Sequence, residues 1–366
     1  MIEKRCKGCG SILQDKDKAK AGYIPKLTID STTCQRCFRM IHYNELPKIV
    51  ATNDEYEKVI DSVVKKKALM VYIVDIFAFK STFNKLMIEK LRNKDVILVA
   101  NKIDLLPKSI NLTKVVDFIS KECQKQFFKV LAIGVASAKK RNYIDELIRT
   151  IDLARKERDV YFVGCANVGK SSIINALLKT TTSISNDVIA TSMIPGTTLN
   201  EIRIPYFEDN CALVDTPGLI NPSDVLNQIL PQSYSKIVPT TELKPITYQI
   251  SEDNAIFIGG LAYLKFKSSN RINLTIYCSN NLYIHRCKTN KVDDLVKNQL
   301  GKLLTPPTEN EVSNLKYITK DFKINGNKNL WFSGFGFINI NTNCELSVTY
   351  LENTEVYLTD AFNKSS

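Results

Sequence analysis

Histidine is almost missing from this chain. His42 and His285 are the two among 366 residues, which leaves little room for imidazole-driven nucleophilic or general-base chemistry. Long apolar runs are missing too: the stretch at 68–79 is broken by Asp75, well short of the ~18–20 residues a membrane span needs. Behind the charges of Met1-Ile2-Glu3-Lys4-Arg5-Cys6 there is no apolar segment, so no signal peptide is read and a cytoplasmic protein without a membrane partner is expected. Glycine and proline, at 14 and 12, are too sparse for a collagen-like or low-complexity chain, and no internal repeat is visible. With 44% hydrophobic and 24% charged residues, the chain falls in the globular range and is long enough for two or three domains.

Acidic charge is in deficit, 38 residues against 50 basic ones for a net +12, and the first fifty residues are the most basic for their length. Such an excess suits a polyanionic partner, although a lysine-favouring codon bias would produce a similar one.

The ten cysteines separate into two patterns. Cys6-Lys7-Gly8-Cys9 and Cys34-Gln35-Arg36-Cys37 are CxxC pairs, whereas Cys123, Cys165, Cys211, Cys278, Cys287 and Cys344 stand alone among apolar residues and read as small core hydrophobes. A cytosolic setting argues against disulfides. A CxxC knuckle turns two thiolates toward one ion about 2.3 Å away, and two knuckles complete the tetrahedron of a structural Zn²⁺. The expected ligands are therefore Cys6, Cys9, Cys34 and Cys37. The competing redox reading needs a thioredoxin-like strand and helix, and neither pair has one. His42 reads as an exposed or RNA-facing side chain rather than a ligand.

Residues 53–67 place Tyr56, Val59, Ile60, Val63 and Val64 at helical spacing, with Asn53 or Asp54 as N-cap. Apolar strands then follow at 68–75, 95–100, 130–135 and 160–164, with helical segments between. Val- and Ile-rich strands alternating with helices predict a parallel α/β sheet whose functional loops lie at the strands' carboxyl ends.

One such loop, Gly164-Cys165-Ala166-Asn167-Val168-Gly169-Lys170-Ser171, fits GxxxxGK[ST] between a strand and a helical run at 172–178. Its backbone amides, including those of Asn167, Val168, Gly169, Lys170, Ser171 and Ser172, would cradle phosphates. Lys170 would reach the β and γ oxygens, and Ser171 would ligate Mg²⁺. The base is read from Asn101-Lys102-Ile103-Asp104 at the end of the second strand, where a carboxylate at Asp104 can accept both N1–H and N2–H₂ of guanine; adenine offers no such pair. Ser137-Ala138-Lys139 suits a backbone contact to the guanine O6. Asp215-Thr216-Pro217-Gly218 supplies a carboxylate to hold magnesium through water and an amide for a γ-phosphate. Between them, Pro195-Gly196-Thr197-Thr198 reads as switch I, with Thr198 preferred over Thr197 as Mg²⁺ ligand. GTP and GDP are the expected cofactors.

The motif order is unusual. NKID and SAK precede the P-loop, GTT and DTPG, whereas an ordinary GTPase starts with its P-loop, so the domain is circularly permuted. Joining the end of the DTPG segment to the strand at Ala68 restores the usual order, and the site survives because a doubly wound domain tolerates moved termini. The chain leaving Gly218 then crosses Leu219-Ile220-Asn221-Pro222 into a helix-like segment at 223–230. Switch II thereby becomes the connection to the final domain.

The run Cys34-Gln35-Arg36-Cys37-Phe38-Arg39-Met40-Ile41-His42-Tyr43-Asn44-Glu45, the permuted motifs, Val74-Asp75-Ile76-Phe77 and Phe257-Ile258-Gly259-Gly260-Leu261 together resemble the YqeH family of bacterial ribosome-assembly GTPases. Where that family continues the strand phrase with Asp, this chain has Ala78. The resemblance implies a GTP-hydrolysing assembly factor for the 30S ribosomal subunit or its precursor, contacting 16S rRNA and not DNA. It also implies a C-terminal module similar to a tryptophan-RNA-attenuation-protein fold. A nucleotide-sensing zinc adaptor with a protein partner is the alternative. Leu219 follows DTPG where many GTPases place a water-orienting Gln. Asn167 matches the P-loop position that in similar GTPases helps hold K⁺, so Asn167, Lys170 and Thr198 are the expected catalytic groups. Arg203 reads as an exposed strand residue rather than a catalytic finger.

The architecture so implied is α/β: a zinc-binding module at 1–50, a circularly permuted P-loop GTPase domain at 51–222 and a mostly β domain at 223–366. In the last, strands are read at 255–266, 272–277, 282–287, 330–340 and 346–350, with turns at 279–281 and 324–327 and a helix at 291–303. Trp331, Phe332, Phe335 and Phe337 could stack on bases, but core packing is the simpler reading. Residues 363–366 are expected to fray.

Overall fold

The computed structural model describes residues 4, 6, 12–16, 22–26, 31–32, 34–35, 53–180, 194–195, 201–267 and 271–362. Two compact units are formed. The first comprises Met1–Asp75, Asn84–Ile103 and Cys123–Ile220, and the second Ile76–Phe83, Asp104–Glu122 and Asn221–Ser366.

The first unit is built on a seven-stranded sheet. In chain order its elements are α1 (Asn53–Val63), β1 (Leu69–Asp75), α2 (Lys85–Leu91) and β2 (Val96–Asn101). Helix α3 (Leu112–Lys125) is assigned to the second unit as far as Glu122. Then come β3 (Ala132–Val135), α4 (Arg141–Arg155), β4 (Val160–Val163), α5 (Lys170–Thr180), β5 (Ile194–Pro195), β6 (Ile202–Pro205) and β7 (Ala212–Asp215). The strand order is β3-β2-β1-β4-β7-β6-β5. β1, β2, β3, β4 and β7 pair in parallel, and β6 turns antiparallel beside β7. Every residue of β1 and β2 is buried, which is why both read as unbroken apolar runs rather than alternating ones. Register sets Asp75 beside Asn101, aligning the strand ends that carry the motifs.

Helix α1 stops at Val63, short of the expected 67. The last lysines leave the helix because Lys66 reaches sideways, its Nζ donating to Tyr161 at 2.8 Å and to the buried Glu201 at 2.9 Å.

The second unit contains two five-stranded antiparallel sheets. One has the order β12-β9-β10-β16-β13 and the other β17-β14-β15-β11-β8. The strands are β8 (Ile246–Ile250), β9 (Asn254–Ile258), β10 (Ala262–Lys267), β11 (Ile272–Cys278), β12 (Ile284–Lys288), β13 (Tyr317–Ile324), β14 (Lys328–Phe332), β15 (Gly336–Ile340), β16 (Cys344–Leu351) and β17 (Val356–Asp360), with helix α6 (Val292–Gln299) between β12 and β13. Alternate residues of both sheets, among them Ile256, Leu264, Ile276, Leu330 and Ile338, share one buried core, as a sandwich requires. The expected single strands at 255–266 and 330–340 are each a hairpin. Gly259 and Gly260 turn the first, Gly259 at φ +52°, and Gly334 at φ +95° turns the second. The helix expected at 223–230 does not form; only the 3-10 turn Val225–Asn227 is present. Asp224 caps it by accepting from the Leu226 amide at 2.9 Å, and a side chain that bonds its neighbouring backbone this way favours a turn over a helix interior.

Trp331, Phe332, Phe335 and Phe337 are all about 1% exposed. Trp331 lies 4.4 Å from Phe337 between ring centroids and 6.4 Å from Phe118 of the same unit. The aromatic series is core packing, with no face left for bases. Of the six isolated cysteines, Cys123, Cys165, Cys278 and Cys344 are buried, and Cys211 and Cys287 are half-buried. No helix among the described residues is long and apolar enough to cross a membrane. Residues 363–366 lie outside the described residues.

Candidate functional site

Four parallel strands of the first unit deliver its sequence motifs at their carboxyl ends. β4 runs into the P-loop, which turns through Asn167 at φ +62° and Gly169 at φ +97° before α5 begins at Lys170. A Cβ on Gly169 would lie 2.3 Å from Nδ2 of Asn101, so glycine is required by both the backbone angle and the closeness of β2. Asn101 uses that approach: its Nδ2 donates to the Val168 carbonyl at 2.7 Å. Its Oδ1 is buried with no hydrogen-bond partner among the described residues. The NKxD asparagine thus braces the phosphate loop from a strand two places away in the sheet. Lys102, at φ +67°, places Nζ 2.6 Å from Asp75 Oδ2 at the end of β1.

Asp104 sits half-buried in the 3-10 turn Ile103–Leu105 that directly follows. The SAK loop is tied to the same strand end, because Ala136 donates to the Ala100 carbonyl at 2.8 Å and Ile103 to the Ala136 carbonyl at 3.2 Å. Ser137 is fully buried and accepts from the Lys139 amide at 3.2 Å, with Ala138 between them.

Lys170 is buried, its Nζ donating to the carbonyls of Gly164 at 3.1 Å and Cys165 at 2.8 Å. Burial pulls its pKa below the ordinary lysine range, against the opposing pull of Asp215 and Cys165. Ser171 Oγ donates to Asp215 Oδ2 at 2.6 Å. Two oxygens of the type Mg²⁺ prefers, from the P-loop and from DTPG, therefore converge, and the donor set fits that ion. Ser172 is exposed on the first turn of α5. Thr216 is anchored by its hydroxyl to the Phe162 carbonyl at 2.7 Å.

Past Asp215 the chain runs alongside the P-loop. Ala166 donates to the Leu219 carbonyl at 2.8 Å and Leu219 to the Gly164 carbonyl at 3.3 Å, forming a parallel bridge. A Cβ on Gly218 would fall 2.6 Å from Ala166 Cα and 2.9 Å from Lys170 Nζ. Gly196, Thr197 and Thr198 lie outside the described residues. Arg203 is on β6 with its guanidinium paired to Asp159, an attachment that occupies it structurally.

A buried polar cluster beneath the P-loop escaped the sequence reading. Asn84 caps α2 by accepting from the Met87 amide at 3.0 Å, and its Nδ2 donates to Cys165 Sγ at 3.2 Å. Tyr72 accepts the Asn84 amide at 3.2 Å, and Tyr56 of α1 donates to Met87 Sδ at 2.9 Å. Burial raises both tyrosines well above the usual phenol range, and the nearby Cys165 adds to the shift. The available signal was Asn84 as an N-cap before KLMIEKL; nothing in the sequence ties it to Cys165.

Of the four cysteines expected to hold zinc, Cys6 and Cys34 are described, and Cys9 and Cys37 lie outside the described residues. Cys6 and Cys34 belong to different CxxC pairs yet meet: the Cys34 amide donates to Cys6 Sγ at 3.2 Å, both are buried, and Leu13 packs with them.

A P-loop whose serine meets a DxxG aspartate and whose lysine folds back on the loop carbonyls, braced by an NKxD asparagine two strands away, defines a P-loop GTPase, here with circularly permuted motifs. Comparison with known proteins agrees. The family described as "50S ribosome-binding GTPase" matches residues 159–256, the part of the domain containing the P-loop and DTPG, and the family described as "YqeH-like, C-terminal" matches 271–362. "Uncharacterized protein YqeH" of Bacillus subtilis is 35% identical over 92% of this chain and 92% of its own length. "NO-associated protein 1, chloroplastic/mitochondrial" of Arabidopsis thaliana is 28% identical over 92% of this chain and 69% of its own. "GTPase Der" of Aquifex aeolicus is 31% identical over 47% of this chain and 39% of its own. The chain belongs to the YqeH family.

Proposed function

We propose that the protein is a GTP-hydrolysing assembly factor for the small ribosomal subunit, whose nucleotide state governs its hold on the particle and on 16S rRNA. The observation that carries the nucleotide part is the junction of Lys170, Ser171, Asp215 and Asn101 around one loop. On this reading Asp104 selects guanine, with Ser137, Ala138 and Lys139 closing over the base. The amides of Asn167 to Ser172 and the Gly218 amide hold phosphates. Ser171, Asp215 and Thr198 serve Mg²⁺, the ion that would neutralise charge developing on the transferred phosphoryl group. The proposed domain limits are 1–50, 51–222 and 223–366. The ribosomal part rests on the family resemblance and on the net charge of +12.

Cys6, Cys9, Cys34 and Cys37 would hold Zn²⁺, a reading supported by the Cys34 amide bonded to Cys6 Sγ, since amide N–H groups that donate to a thiolate stabilise its charge. Asn167, at its positive φ in the P-loop, would help seat K⁺ near the β and γ phosphates, where a fixed cation offsets developing charge as an arginine finger does. Leu219 has nothing with which to orient water. Slow turnover that rises several-fold in K⁺ over Na⁺, and loses that rise in Asn167→Ala, is the expected result of phosphate-release assays. Equal rates in the two salts would remove the cation role.

The backbone pairing of Ala166 with Leu219 supports gating. A γ-phosphate that draws the Gly218 amide toward it would shift the adjoining Leu219 against Ala166, and the segment displaced is the start of the chain leading out of the GTPase domain. Switching by such an order change requires different affinities in the two states. Sedimentation with 30S and 50S particles, under a non-hydrolysable GTP analogue and under GDP, tests this. Tighter, salt-sensitive 30S binding with the analogue is expected. Indistinguishable binding in the two states would reject gating, preference for 50S would reassign the particle, and no binding to either would favour a protein-binding adaptor.

A further inference from the structure

Helix α3 ends in an unusual way. Phe128 donates to the Cys123 carbonyl at 3.0 Å and Phe127 to the Gln124 carbonyl at 3.0 Å, the backbone pattern that closes a helix through a left-handed residue, normally glycine. Here the left-handed residue is Phe127, at φ +50°. Phe128 takes the buried place expected after such a turn, 3% exposed and edge-on to Tyr72. Phe127 itself is 83% exposed. A bulky side chain therefore occupies a backbone conformation that glycine would relieve, while its ring stands in water. Both features cost stability, and neither is needed to end the helix.

The surroundings are built rather than loose. Arg92 NH1 donates to the Phe127 carbonyl at 3.1 Å, and Leu131, 54% exposed, is fixed by its amide to the Val96 carbonyl at 2.7 Å. Arg92, Lys125 and Lys129 are exposed and Lys94 is half-buried. Across the two segments 91–95 and 123–131 the only carboxylate is Asp95, which Arg158 engages at 2.8 Å. An exposed aromatic ring on a hydrogen-bonded turn is thus set on two segments rich in cationic residues.

The geometry points to this turn as a docking surface for single-stranded RNA, with Phe127 stacking on a base and Arg92, Lys94, Lys125 and Lys129 following the phosphates. An aromatic face beside a cationic track is what sequence-tolerant binding of single strands uses. One ring and one leucine are too little apolar surface to anchor a protein on a bilayer, which takes a broad apolar face or two signals. The turn leads into the amino end of β3, whereas the P-loop, NKID and DTPG leave the carboxyl ends of strands parallel to it. RNA here would leave the nucleotide pocket open. The surface is independent of that pocket, so this inference can fail while the GTPase reading stands.

The test uses the full chain with GDP and a fluorescein-labelled oligoribonucleotide of mixed sequence about twelve nucleotides long, read by anisotropy against salt. Phe127→Gly is the informative variant, since it relieves the left-handed backbone. The expected result is an equal or higher melting temperature and unchanged GTPase rate, with RNA affinity reduced about tenfold and restored in Phe127→Trp. Lys125→Ala with Lys129→Ala should flatten the slope of log K against log salt by about 1.4, at ~0.7 per phosphate contact on a single strand. Unaltered RNA affinity in Phe127→Gly would overturn the proposal. So would a loss of affinity accompanied by a lowered melting temperature, or Phe127-dependent binding to phosphatidylglycerol vesicles or polyglutamate as tight as to RNA.

Discussion

Asp104→Asn is expected to lose GTP and gain xanthosine triphosphate. On the proposed reading the carboxylate accepts N1–H and N2–H₂ of guanine together. An asparagine in its place presents one acceptor and one donor, which fits xanthine, where a C2 carbonyl replaces the amino group. Truncating one side of a buried, charge-assisted double hydrogen bond costs about 2–5 kcal/mol, or roughly 30-fold and more in affinity. Asp104 directly follows the strand end at which Asn101 donates to Val168 and Lys102 to Asp75, the end of the sheet where this reading puts the base. Competition binding with labelled GDP reads the result. ATP displacing it from the unmutated chain as well as GTP does would sink the assignment, as would Asp104→Asn retaining GTP in preference to the xanthine nucleotide.

An effect of comparable size is expected at the amino terminus. Structural zinc in small cysteine sites contributes about 10–16 kcal/mol of apparent binding energy, which is folding energy for the module that holds it. Purified chain should therefore carry one zinc per molecule by elemental mass spectrometry. Cys34→Ser and Cys37→Ser should each lose it and expose the first fifty residues to protease, while nucleotide binding persists. In the second unit Cys278 and Cys344 are no substitute: burial pushes the Cys278 thiol up to about 12 and Cys344 to about 11, so neither presents a thiolate at neutral pH. Metal-free protein with an intact amino-terminal module, or zinc retained in both serine variants, would end the zinc reading.

The sheet of the first unit was legible because its signals are local. LMVYIV and VILVA must be buried on both faces to avoid exposing apolar surface, and each phosphate or base motif is a short string whose chemistry depends on its own turn. The second unit was legible in its centre and not at its margins. β8, β13 and β17, all unread, are edge strands of the two sheets, and their burial alternates or fails, as in β13, where only Phe322 and Ile324 are buried. An edge strand owes its pairing to a neighbour far away in the chain, so composition alone under-reports it. The hairpins at Gly259 and Gly334 looked like continuous apolar runs for the converse reason: both arms of each enter the same core, and only the left-handed glycine marks the turn.

What the sequence by itself determined was the motifs and their order: the P-loop, NKID, the permutation and the CxxC pairs, because each rests on residue types at short spacing. What tertiary structure alone decided was which long-range partner each polar group takes. Asn101 braces Val168 across 67 residues, Asn84 reaches Cys165 across 81, the Cys34 amide finds Cys6 across 28, and Trp331 and its neighbours turn inward to the core. The physical reason is that hydrogen bonds and burial are satisfied by whatever the folded backbone brings within about 3 Å, and spacing along the chain carries no record of that distance.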